Sequence, residues 1–206
     1  MLYDTSVYPP SFTYKLLTST ITPRPIAWVS TQGASGQRNA APYSFFNMMG
    51  DNPPIVCVGL MRDPVKGFKD SCRNILDTGE FVVNLVPYAL ARQMNATCIN
   101  APAEVDEIDL AGLQTEPSVK IAPPRIAGAP VSLECSLHSA VATSPHQTLA
   151  IGRVEAIHIA DDCLLDAERG HVDNAKLDLI ARLHGSGWYQ RGGERFEMVR
   201  PRWEDR

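Results

Sequence analysis

The chain has 206 residues, 44% apolar and 20% charged, the proportions of one folded domain with a sizeable core rather than of a disordered segment. Nineteen basic against twenty-three acidic residues leave a net charge of −4, without the global basicity of a nucleic-acid binder; a local basic pocket stays compatible with that balance. No apolar run approaches the roughly 20 residues that cross a bilayer, and Met1-Leu2-Tyr3-Asp4 opens without the basic start of a secretion signal. A cytoplasmic protein with neither membrane nor nucleic-acid partner is therefore expected. Five scattered cysteines form no C-x-x-C pair and read as reduced, buried thiols.

Sixteen prolines lie between apolar runs, punctuation that suits a sheet-rich domain. In chain order, the β-branched and apolar stretches 26–30, 55–60 and 81–86 each read as a strand next to a proline breaker. Phe68, Cys72, Ile75 and Leu76 recur at helical spacing before Gly79, which predicts a helix over 69–78. Weaker helical patterns cover 88–98 and 105–111. Val131, Leu133, Cys135, Leu137 and Val141 alternate with Ser132, Glu134, Ser136 and His138, which predicts a strand with one face in the core and one in polar surroundings. A partner strand is expected over 149–159. Asp173 reads as the cap of a helix running through Leu177, Ile180 and Leu183 to Gly185, and 196–199 as a last strand. Strands dominate and no βαβ rhythm occurs, so a mainly β fold with peripheral helices, an antiparallel barrel or sandwich, is expected over one domain, 1–206.

The chain lacks G-x-G-x-x-G, the P-loop pattern, H-E-x-x-H and G-x-S-x-G, which argues against Rossmann dehydrogenases, P-loop ATPases, zincins and α/β-hydrolases. No histidine or cysteine spacing suggests a metal. Arg62, Lys66, Lys69 and Arg73 crowd around the start of the 69–78 helix, with Asp70 and Ser71 in its first turn. A helix N-terminus with added cationic and hydroxyl donors is a seat for phosphate. The competing reading makes Asp70 or Ser71 a cap and the cations solvated. The stretch 38–47 mixes small residues, amide and hydroxyl donors and adjacent aromatics, the make-up of a ligand-pocket wall and equally of core.

Several stretches, TPRPIAWVST (22–31), NAAPYSFFN (39–47), NPPIVCVGL (52–60), KDSCRNILDTGEFVVNLV (69–86) and PVSLECSL (130–137), together resemble the flavin reductase-like family of FMN-binding split β-barrel proteins over about residues 18–190. The resemblance implies an antiparallel split β-barrel, with FMN near a homodimer interface. It implies the flavin phosphate on Lys69, Asp70 and Ser71 with Arg62 nearby; Ser71 stands where relatives commonly carry Thr and keeps the hydroxyl. It implies that Arg24, Pro25, Ile26 and Ala27, and Asn39, Ala40, Ala41, Tyr43, Ser44, Phe45 and Asn47, line the ribityl chain and ring. His184 and Tyr189, in a glycine-rich stretch, are candidate contacts for a nicotinamide or substrate. The expected activity is hydride transfer from NAD(P)H to FMN, with reduced flavin passed to an acceptor or a partner monooxygenase and no side-chain acid or base required. An FMN electron carrier that does not use NAD(P)H and a flavoenzyme with a dedicated small-molecule substrate are the alternatives.

Overall fold

A computed structural model describes residues 1–62, 67–102 and 104–205; Lys66, one of the four clustered cations, lies outside them. The chain opens with α1 (Pro10–Thr20), an element the sequence reading passes over. Pro10 sits at its first position, where the missing N–H costs no helical bond. Strands β1 (Arg24–Pro25), β2 (Ala27–Gln32), β3 (Arg38–Tyr43), β4 (Phe46–Asp51) and β5 (Pro54–Met61) follow. Helix α2 (Asp70–Thr78) matches the expected span and ends at Gly79, whose φ of 73° places it in the left-handed region, its N–H bonding Ile75 O at 3.0 Å. Then come β6 (Glu80–Leu85), α3 (Ala91–Ala96) and α4 (Glu107–Leu110), the helices lying inside the two weaker helical windows. The short ribbon β7 (Thr115–Glu116) and β8 (Arg125–Ile126) precedes the long hairpin β9 (Val131–Ser144) and β10 (Gln147–Ile159). Strands β11 (Leu164–Asp166), β12 (His171–Val172), β13 (Ile180–Arg182) and β14 (Tyr189–Arg191) complete the fold.

The fold is mainly β and antiparallel, as expected. Its largest sheet among the described residues runs β3-β2-β6-β9-β10-β5-β4. Strands β3 and β4 stand at opposite ends of that order, yet only Ser44 and Phe45 separate them in sequence. Two residues span less than about 11 Å from strand to strand, so the sheet must curl enough to bring the end of β3 close to the start of β4. Gly59 N–H bonds Phe45 O at 2.7 Å across that gap. Inside the curl, Val29, Val58, Leu60, Phe81, Val83 and Cys135 pack against Cys72 and Ile75 of α2. On the other side of β2, Trp28 packs with Met94, Ile108, Ile126 and Ile180, so β2 is buried on both faces.

Three sequence expectations need correction. Residues 173–185 form no helix: Asp173 caps only a turn, accepting from Ala175 N at 2.9 Å, and Asp178 takes φ 45°, which a continuing helix excludes. Ile180 N–H bonds Val86 O instead, and 180–182 becomes strand β13. Residues 196–199 form no strand and are exposed. The polar face of β9 is not in polar surroundings throughout. Ser132 and Glu134 are buried, Ser132 Oγ bonding Asn84 and Glu134 receiving the N–H groups of Val119 and Lys120, because the 117–126 segment folds over that face. Among the thiols, Cys72, Cys135 and Cys163 are buried as expected, whereas Cys98 is exposed.

Candidate functional site

The first turn of α2 opens on a cleft of about 500 Å³, lined on its other side by residues from Thr97 to Pro102 and by Glu104 and Glu107. The first helical bond is Arg73 N–H to Lys69 O at 3.0 Å, so the N–H groups of Asp70, Ser71 and Cys72 have no partner within the helix. Lys69 occupies the N-cap position and reaches across to Asn100 Oδ1 at 3.2 Å. Asp70 lies 3.6 Å from the Arg73 guanidinium. Ser71 is buried and tied to β3. With the Asn39 amide oriented to satisfy both its ends, the amide oxygen accepts from Ser71 Oγ at 2.6 Å and the nitrogen donates to Glu107 Oε2 at 3.1 Å. Tyr43 also contacts Ser71, and desolvation pushes its phenol up to about 12.

Glu107 is a site residue that the sequence reading missed. The residue is 5% exposed and lines the cleft. Burial raises its carboxyl above the usual carboxylate range; the Asp70 and Asp106 charges add to the rise, and hydrogen bonds from its own backbone and Ala40 oppose it. Helix α4 is held in place from β3. Arg38 Nε donates to Asp106 Oδ2 at 2.8 Å, its other arm reaches Asp109 at 2.8 Å, and Asp106 caps α4 by accepting from Ile108 N. Nothing in the run Asp106-Glu107-Ile108-Asp109 marks the second residue as buried; only the Arg38 anchor turns it inward.

A second cleft of about 420 Å³ is lined by Tyr14, Leu17 and Ile21 beside α1, by Pro23, Arg24 and Pro25, and by Ser44, Phe45, Phe46 and Asn47. Arg24 is 8% exposed, and its donors reach backbone carbonyls: Thr18 at 2.6 Å, Ile21 at 2.8 Å and Leu183 at 2.9 Å, with Ser44 Oγ at 3.4 Å. It therefore closes the C-terminus of α1, where carbonyl dipoles favour a cation.

The predicted residues thus divide in two. Asn39, Ala41, Tyr43, Lys69, Asp70 and Ser71 meet at the first cleft; Arg24, Pro25, Ser44, Phe45 and Asn47 meet at the second. Ile26, Ala27 and Ala40 are buried in the core between them. Arg62 lines neither: its guanidinium stacks 4.0 Å from the Phe68 ring and donates to Pro145 O at 2.9 Å. His184 follows a strand, not a helix, and is exposed in the β13–β14 turn, its ring 6.3 Å from Trp188. Tyr189 is half-buried under Arg182, 4.8 Å away, and faces a third hollow beside α3. Strand β13, which leads into that turn, pairs with Arg24-Pro25 at the edge of the second cleft.

Fold and cleft define an antiparallel β domain with an anion-suited helix terminus on its flank. The family model for the flavin reductase like domain matches residues 18–175. A protein of Deinococcus radiodurans is 42% identical, covering 96% of this chain and 88% of its own. Nitrilotriacetate monooxygenase component B from Bacillus cereus is 35% identical with a TM-score of 0.89, covering 96% of this chain and 98% of that one. The 2-nitrobenzoate 2-nitroreductase NbaA of Pseudomonas fluorescens is 30% identical, also with a TM-score of 0.89, and covers 98% of both chains. The chain belongs to the flavin reductase-like family.

Proposed function

We propose that this chain is an FMN-dependent NAD(P)H:flavin oxidoreductase, acting as a cytoplasmic homodimer of split-barrel domains that hands reduced flavin to an acceptor or a partner oxygenase. The observation that carries the reading is the α2 terminus: helical N–H groups without a partner inside the helix and the Lys69 ammonium converge on one cleft, with the buried Ser71 in the same turn, in a flavin reductase-like chain. These donors fit a phosphate monoester. Asn39 and Tyr43 orient the Ser71 hydroxyl, and Asn100 steadies Lys69. When bound, the flavin supplies the hydride-accepting centre, so the protein need provide no side-chain acid or base. Phe45, Phe46 and Pro25 give the second cleft apolar walls that exclude water, and the exposed His184 in the β13–β14 turn is our candidate contact for an incoming nicotinamide. Titration with FMN and FAD tests the cofactor choice: FMN binds more tightly, and equal or tighter FAD binding contradicts the reading.

The second cleft also supports a flavoenzyme with its own small-molecule substrate. Its aromatic and aliphatic lining suits a flat, apolar molecule, and the likeness to a nitrobenzoate reductase favours a nitroaromatic acid. Consumption of such an acid with NAD(P)H, faster than free reduced flavin alone achieves, supports this reading. Equal rates leave the general reductase.

The homodimer rests on exposed apolar surface. No residue of α1 is buried, Tyr14, Leu17 and Ile21 face outward, and Met48 and Met49 of β4 are each 64% exposed.

A further inference from the structure

Glu107 is out of place beneath a phosphate seat. Its carboxyl lines the same cleft as Lys69 and Ser71, is almost wholly buried, and forms no ion pair among the described residues. The cations around it are engaged elsewhere: Arg38 with Asp106 and Asp109, Arg73 with Asp70, and Lys69 with Asn100. The other titratable groups lining the cleft are Tyr43, Asp70 and Glu104, with Asp106 next to Glu107 in sequence, and their charges, where present, are negative. Hydrogen bonds from the Asn39 amide and the Ala40 N–H suit the ionised carboxylate while the cleft holds no anion. An arriving phosphate reverses that balance, because a second negative charge in a shielded cleft disfavours the first.

We propose that Glu107 couples flavin binding to proton uptake, opposing the flavin phosphate while ionised and yielding to it once protonated. The proposal rests on the phosphate-seat reading above. Binding raises the protonation tendency of Glu107, so by linkage the affinity for FMN falls as pH rises through the range where the carboxyl ionises. The grip is then looser above the pH at which the carboxyl ionises, which suits a protein that releases reduced flavin. Because Asn39 bridges Glu107 to Ser71, the same carboxyl also steadies the first turn of α2.

The test compares FMN with riboflavin, which lacks the phosphate, on the full chain and on Glu107→Gln. Gln keeps an acceptor for Asn39 without the charge. Flavin fluorescence titrations from about pH 5 to about pH 8.5 give the affinities. Glu107→Gln is expected to bind FMN on the order of tenfold more tightly at the alkaline end, the size of a one-unit shift, and equally at the acid end. Riboflavin affinity is expected to be the same in both proteins at every pH. The ionisation of the FMN phosphate, with a pKa of about 6, is common to both proteins and cancels in the comparison. Calorimetry in two buffers of different ionisation enthalpy reads the wild-type protein independently of any variant. A lysine and a helix terminus acting alone favour the phosphate dianion and release protons, whereas Glu107 predicts net uptake across the pH range in which its carboxyl titrates. Parallel FMN affinity profiles in the two proteins, or net proton release from the wild type, overturn the proposal. Wild-type binding of riboflavin as tight as FMN instead removes the phosphate seat itself, and the proposal falls with its premise.

Discussion

Lys69 shows how one residue was legible in type and position but not in setting. Its place at a helix start beside Ser71 was readable from spacing; its reach to Asn100, thirty-one residues away, was not. Replacing it with Ala should weaken FMN binding by about 1.5–3 kcal/mol, the range for a hydrogen bond to a charged group. The loss should shrink as salt rises, because screening already weakens the wild-type attraction. Unchanged affinity at low salt would return Lys69 to a solvated role. Glu134 carries a second residue-scale prediction. Desolvation acts upward on its carboxyl, but the Val119 N–H at 2.8 Å, the His158 ring at 2.6 Å and the Lys120 N–H at 2.7 Å together hold it below its ordinary value. A carboxyl depressed in the folded state adds stability above its unfolded pKa of about 4.3, and that stability is lost as pH falls through the lower folded value. Glu134→Gln should therefore be less stable than the parent at neutral pH, with the gap closing in acid. Denaturant midpoints across that range check it; a constant gap contradicts it. Both buried carboxylates, Glu107 and Glu134, escaped the sequence because their partners come from distant segments, whereas period and spacing report only near neighbours.

At the scale of elements, the sequence was informative where packing and local signal agree. Strands β2, β5, β6, β9 and β10 and helix α2 each fall where an apolar pattern or a cap announces them. Helix α1 was missed because none of its residues is fully buried, so it lacks the pattern of a core-packed helix, although Pro10 marked its start. The helix expected over 173–185 failed because strand pairing with β1 and the Val86 bond outweigh a short apolar period. Packing between elements is tightest where β10 passes β6: a Cβ at Gly152 would collide with the Phe81 ring and crowd Cys135. Gly152→Ala should cost about 1–3 kcal/mol of stability, as overpacked core sites do, and a midpoint equal to the parent's would contradict that contact. The β13–β14 turn gives an element-scale prediction on function. If it guides the nicotinamide, His184→Ala should slow flavin reduction or raise KM while FMN affinity holds, the mark of a lost substrate contact. Tyr189, packed under Arg182 beside Ile180 and Met94, should instead mainly affect stability when changed to Phe. A reduction rate unchanged in His184→Ala would leave that side chain a bystander.

For the whole molecule, the curled sheet explains why the two clefts are neighbours. Its edges meet at Ser44-Phe45, so Tyr43 ends one edge at the first cleft and Phe46 opens the other at the second. The class of this fold, a curled antiparallel sheet included, was readable from strand content and from the ordered motifs; the strand order was not, since it depends on pairing between distant segments. Among the described residues, no helix is long and apolar enough to cross a membrane. The outward apolar residues of α1 and β4 predict a particle near twice the 22.6 kDa of one chain by light scattering, and a single-chain mass with FMN bound would contradict the dimer. The central claim, that this chain reduces flavin with a nicotinamide, is tested most directly by anaerobic mixing of the FMN-loaded protein with NADH or NADPH. The account predicts that one of the two bleaches the flavin absorbance much faster than it bleaches free FMN. Bleaching by neither nucleotide, or at the rate of free flavin, would contradict it.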